Sequence, residues 1–153
     1  MKRPADSRTG QALLMVTLAL PLLIGLLALV VDVGFAYFQK QVMQSAADSS
    51  AFAGAVEGYR LAGCSGFPDV SRVTSVAKAY GLVNSDAQTA LDVRTGSGIH
   101  DGVDTLFRVT ATATRTSPVF FGAMFRTGPL QASASATAGV VGSAVACRVA
   151  LVE

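Results

Sequence analysis

The sequence predicts an α+β protein: one long N-terminal helix, membrane-spanning and then amphipathic, carrying a small C-terminal antiparallel-sheet domain. Three observations predict it. Residues 12–31, ALLMVTLALPLLIGLLALVV, form a twenty-residue run without a charge. At 1.5 Å per residue such a helix reaches about 30 Å, the thickness of a bilayer's hydrocarbon core. Past the run, apolar residues continue at three- and four-residue spacing with no strong breaker before residue 58. The C-terminal half instead alternates apolar and polar residues, the period of a strand.

Charge divides the chain about the apolar run. The whole chain has 12 Lys/Arg and 10 Asp/Glu, a net of +2. Residues 1–11 hold Lys2, Arg3 and Arg8 against Asp6, which already accounts for that +2 and leaves residues 32–153 neutral. Basic flanks stay cytoplasmic, so the expected topology is N-terminus inside and C-terminal domain outside. A neutral outer domain without Trp or a basic patch gives no reason to expect nucleic-acid binding. Three segments follow: a basic cytoplasmic leader at 1–10, a spanning helix continuing as a stem at 11–62, and an extracytoplasmic α+β domain at 63–153. Pro4 and Gly10 disfavour continuous helix in the leader. A cleaved signal peptide, with Gly34-Phe35-Ala36 as its site before Tyr37, is the alternative, but the apolar run exceeds the usual length.

Inside the span, Pro21 removes a backbone N–H and crowds the carbonyl of Thr17. Gly25 and Gly34 are small spots where another helix can approach. Beyond Asp32, residues Phe35, Phe38, Val42, Ala46, Ser49, Phe52, Val56 and Tyr59 share one helical face. Small residues dominate 45–55 and admit a close neighbouring backbone, so Ala47→Arg or Ala51→Arg is expected to block helix approach. Gly58 and Gly63 offer a stop. The result is a rod of roughly 75–80 Å, half in lipid and half amphipathic. That is the shape of a pilin-like stem.

The residues of this stem resemble a known family. Gly10-Gln11-Ala12-Leu13 opens the apolar run; Val31-Asp32-Val33-Gly34 and Tyr37 close it. Val42-Met43-Gln44-Ser45-Ala46-Ala47-Asp48 and Ala51-Phe52-Ala53-Gly54-Ala55 follow. The pattern is similar to the N-terminal module of TadE/TadG-like pilus-assembly proteins, over about residues 9–56. The resemblance implies a bacterial inner-membrane protein of the tight-adherence (Flp, type IVc) pilus system, a minor pilin-like or assembly component and not a catalyst. It implies a packing motif of Asp32, Gly34, Gln44, Ala46, Ala47, Asp48, Ala51 and Ala55. It also implies partners: the membrane, other pilins or Tad assembly proteins in a homo- or hetero-oligomer, and a prepilin peptidase. The matching cut lies between Gly10 and Gln11. TadE-like members carry Glu five positions past the cut; here that position is Met15, which favours the TadG-like side. Retention in the membrane and incorporation into a fibre both stay open.

In the outer domain, Pro68-Asp69 starts a helix, with Asp69 as cap, Val73, Val76, Ala77 and Tyr80 as its stripe and Gly81 as its end. Leu91, Val93 and Thr95 mark a strand; Phe107, Val109, Ala111 and Ala113 mark a stronger one. Ser117-Pro118 reads as a cap and first turn of a short helix reaching about Phe125, burying some of its phenylalanines. Leu130, Ala132, Ala134, Ala136 and Ala138 mark a third strand, and residues 147–152 a further one. Alanine on the inner face calls for a closely packed helix, and the small-residue face of the stem is the candidate.

Little in this composition does chemistry. Cys64 and Cys147 lack zinc-site spacing and, outside the membrane, are expected to form a disulfide; two separate thiols are the alternative. His100 is the one histidine, in a Gly-rich stretch that reads as an exposed turn, and one histidine cannot supply a usual metal-ligand set. No catalytic residue, metal site or cofactor is expected. Asp32 reads as an acid solvated at the outer interface. The expected function is a structural one in a pilus, by helix packing; the alternative is a membrane-anchored or secreted extracellular binding module.

Overall fold

A computed structural model of the chain describes residues 7–64, 67–86, 88–100, 103–121, 129–142 and 146–152. A single helix, α1 (Ser7–Ala62), runs for 56 residues, about 84 Å at the standard rise. It starts four residues earlier than Gln11. The cost of Gly10 in a helix, about 1 kcal/mol, is small beside the propagation gain of a long apolar helix. Pro21 lies inside α1, and the helix continues through it. The helix stops where Gly63 takes a positive φ of 59° and returns its N–H to the Tyr59 carbonyl at 2.7 Å. Gly58 does not stop it. That residue faces the ring of Phe107, so closely that an added Cβ would lie 2.5 Å from the ring.

The rest of the chain wraps the outer part of α1. The second helix, α2 (Val70–Val83), is capped by Asp69, whose side chain accepts from the Ser71 N–H at 2.9 Å. It runs two residues past Gly81. That glycine lies inside the helix at the α1 contact, where a Cβ would sit 2.9 Å from Cβ of Ser50 and 3.2 Å from the Ala46 carbonyl. Four strands follow: β1 (Ala90–His100), β2 (Val103–Ser117), β3 (Leu130–Gly142) and β4 (Cys147–Val152). They form one antiparallel meander in the order β1-β2-β3-β4. All four expected strands are present. The Gly-rich stretch expected as a turn is mostly strand: Gly96 and Gly98 flank a register shift within β1, and His100 pairs with Val103. Its remaining residues, 101–102, lie outside the described residues.

One face of the sheet is built for contact with α1. Phe107, Val109, Ala111 and Ala113 of β2 alternate inward with Ala134, Ala138 and Val140 of β3, all buried. Against them lie Met43, Ala46, Ala47, Ala51 and Ala55 of α1. The opposite face is polar. Thr110 and Thr137 exchange a hydroxyl hydrogen bond of 3.0 Å, and Thr112 and Thr114 stand opposite Ser135 and Ser133. The alternation and the alanine face were legible, and so was the helix they fit.

The segment after Ser117 differs from expectation. β2 runs through Ser117, and residues 118–121 are not helical. The remainder of the expected helix, to Phe125, lies outside the described residues. The N–H groups of Phe120 and Phe121 are instead taken by Asp32, from a distant element that a local capping rule does not see.

A disulfide joins Cys64, just past α1, to Cys147, the first residue of β4, with Cα atoms 5.8 Å apart and a separation of 83 positions in sequence. It ties the edge strand to the stem. Closing a loop of that length stabilises by about 4–5 kcal/mol in the chain-entropy account. Replacing both cysteines by alanine is therefore expected to lower the unfolding midpoint of the outer domain by on the order of 15 °C or more, measured by circular dichroism in detergent.

Candidate functional site: the two faces of the stem

The motif alanines face inward, toward their own domain. Ala46, Ala47, Ala51 and Ala55 are fully buried, shared between the sheet and α2. Small residues on both sides let these layers approach closely, and where the larger Val109 reaches α1 it meets Gly54, at which an added Cβ would lie 3.0 Å from a Val109 methyl. Gln44 and Asp48, of the same motif, point outward and bond to each other, Nε2 to Oδ1, at 2.8 Å. The small-residue face thus closes the monomer, and Ala47→Arg or Ala51→Arg would act first on folding.

The apolar stripe divides differently. Ala46 belongs to the buried side, whereas Phe38 is 57% exposed, Phe52 47%, Val56 40% and Tyr59 41%. Together with Val31, Phe35, Val42, Ser45 and Ser49 these positions repeat in alternating steps of four and three residues, a heptad seam. Within this row Val42 packs against the core beside Ala113 and Ala134, and Phe35 packs on Phe120, whereas Phe38, Phe52, Val56 and Tyr59 stay exposed. Gly25 and Gly34 are equally open, with no atom within 4 Å of an added Cβ.

Three polar clamps hold the domain to the stem, and sequence reasoning missed all three because the partner that joins α1 to the domain lies 15, 76 or 88 residues away in the chain. Asp32 Oδ1 accepts from the N–H of Phe120 at 3.1 Å, and its Oδ2 from that of Phe121 at 3.1 Å. It is a docking point for the β2–β3 connection, not simply a solvated acid. The Phe35 and Phe120 rings meet edge to face at 5.2 Å beside it. Gln39, buried in α1, accepts from Arg115 of β2 at 3.0 Å, and Arg115 also pairs with Asp86. Glu57 receives Arg60 at 2.8 Å and Arg72 of α2 at 2.9 Å. A signal existed for Glu57, an acid otherwise unexplained among small residues, but not for which arginine would reach it.

Among the described residues no group of His, Cys, Asp and Glu is arranged to hold a metal. The open groove of about 350 Å³ between α1 and the start of β3 is lined by Gln39, Lys40, Ser117 and Gln131, and the buried Ser117 Oγ makes no hydrogen bond there. Gly10 and Gln11 lie within α1, so the Gly10–Gln11 bond is in helical backbone.

A helix apolar and long enough to cross a membrane runs unbroken into the packed core of an α+β domain. Residues 10–57 match the Tad family model, that of Flp pilus-assembly TadE/G-like proteins, and on that stretch the chain is TadE/TadG-like. The match covers the span, the Asp-x-Gly and the inward alanines, and it connects the chain to pilus assembly, the work of a family of structural and assembly components. No curated protein and no solved structure matches the chain.

The arginines around Glu57 hold its carboxyl down, from an ordinary 4.5 to about 2, by hydrogen bonds from Arg60 first and Arg72 next. A lowered folded-state value means the stabilisation is complete above pH 4.5 and is lost as pH falls from 4.5 toward 2. Acid unfolding of the wild type and of Glu57→Gln checks this: the variant is expected to be less stable at pH 7 and to show a shallower loss across that window.

Proposed function

We propose that this chain is a minor pilin-like subunit or assembly component of a bacterial Tad (Flp, type IVc) pilus. It is held in the inner membrane with its N-terminus cytoplasmic and its domain extracytoplasmic, and it acts by lateral helix packing. Residues 12–31 lie against neighbouring spans, and the heptad seam of Val31, Phe38, Phe52, Val56 and Tyr59 lies against neighbouring stems, homo- or hetero-oligomeric. The observation that carries this reading is that seam: exposed, apolar and continuous with the span, on the stretch where the family match lies. Burying it removes apolar area from water at about 25 cal/mol per Å². The orientation is supported by the net +2 of residues 1–11 and by a disulfide that belongs in an oxidising compartment. Prepilin peptidase action at Gly10–Gln11 is part of the same reading when the subunit enters a fibre.

Two substitutions one residue apart separate the faces. Phe52→Arg is expected to leave the domain's thermal midpoint within a few degrees of wild type and to reduce pilus number on cells. Ala51→Arg is expected to destabilise the domain by on the order of 3–5 kcal/mol, the cost of burying an unpaired charge. Normal piliation with Phe52→Arg would overturn the packing role of the seam.

A further inference from the structure

We propose that the start of the β2–β3 connection, Phe120 and Phe121, is a second membrane contact, resting in the outer lipid interface beside α1. The inference depends on residues 12–31 being the span. Asp32 is the first residue past that run, so its carboxylate marks the level at which hydrocarbon ends. The amide nitrogens of Phe120 and Phe121 lie 3.1 Å from its oxygens, which fixes the loop at the same level. Both side chains are exposed, 57% and 51%, although the loop is bonded to the stem. An interior contact would have buried them, and a soluble loop gains nothing by carrying two adjacent exposed phenylalanines.

The hydrogen bonds also remove the main obstacle to such a position. A backbone N–H brought toward lipid must find a partner within the protein, and Asp32 supplies one to each of the two amides. The surroundings are those of an interfacial belt. Phe35 packs on Phe120, while Tyr37 and Phe38 are exposed within two turns of Asp32 on α1. Lys40 follows, exposed, one turn above, where an ammonium reaches phosphate. With α1 alone in the bilayer the domain would pivot about the helix; a second contact, offset from the helix axis, sets its tilt. Val33, Gly34 and Tyr37 with Leu29 and Val30 line a shallow apolar groove at the same depth, which extends the lipid-facing surface around the helix.

The chain has no tryptophan, so one introduced residue reports alone. The full-length protein is reconstituted into phosphatidylcholine/phosphatidylglycerol vesicles with acyl chains brominated either near the glycerol or near the methyl end. Three variants are compared: Phe120→Trp, Leu22→Trp within the span, and Tyr80→Trp on the exposed side of α2. Phe120→Trp is expected to lose about half its emission with shallow bromine and less with deep bromine, the depth dependence of an interfacial residue. Adding Asp32→Ala to it is expected to reduce that quenching, because the loop is released. Leu22→Trp is expected to be quenched at depth and Tyr80→Trp not at all. Quenching at Leu22→Trp with none at Phe120→Trp overturns the lipid contact and leaves the span standing. A blue-shifted Phe120→Trp emission without quenching overturns it in favour of a protein neighbour. Absence of quenching at both positions overturns the span and the contact together.

Discussion

The close approach of α1 to the sheet is the constraint on which the structure depends. Ala46, Ala47, Ala51 and Ala55 meet Ala111, Ala113, Ala134 and Ala138 with only methyl groups between backbones. Such a seam gains little from the volume of any one side chain, and much from the number of contacts made at once. It also tolerates no enlargement on either side. Larger residues enter where the helix gives room: Met43 at the end nearer the apolar run, Val109 against Gly54, and Phe107 beneath Gly58 at the far end, where Phe67 closes over it edge to face at 5.6 Å.

A seam this thin needs help, and the polar clamps and the disulfide supply it at different heights on the stem. Asp32 fixes the sheet's connecting loop near the end of the apolar run, Gln39 and Arg115 fix β2 a little further out, and Glu57 fixes α2 near the top. Cys64–Cys147 then ties the edge strand β4 to the end of α1. The domain is fastened along the whole outer half of the helix.

Much of this was legible in the sequence because periodicity is a local signal. The uncharged run, the period-two strands and the Asp69 cap all appear where their residues indicate. The alanines of β2 and β3 even indicated the helix that covers them. What stayed hidden was partnership across distance. Asp32 and Phe120 are 88 residues apart, Gln39 and Arg115 76, and no local rule joins them. Over residues 118–121 the expected helix is absent for that reason: a cap motif is present, but the Phe120 amide it would have served is taken by Asp32. Gly81 misled because a glycine admitting a close neighbour has the same letter as a glycine ending a helix. The stem's stripe was read as one face, whereas the structure assigns Ala46 to the core and leaves Phe38, Phe52, Val56 and Tyr59 outside.

The proposed packing gives α1 two faces with separate duties, one for the chain's own sheet and one for its neighbours. Site-specific photo-crosslinking in native membranes tests that division most directly. A benzophenone side chain at position 52 is expected to form adducts with a second copy of this chain or another subunit of the same pilus. The same group at position 49, a half-buried member of the heptad row that contains Phe52, is expected to give fewer, and at position 48 fewer still. Adducts of equal yield at all three positions, or none at position 52 in piliated cells, would contradict the account.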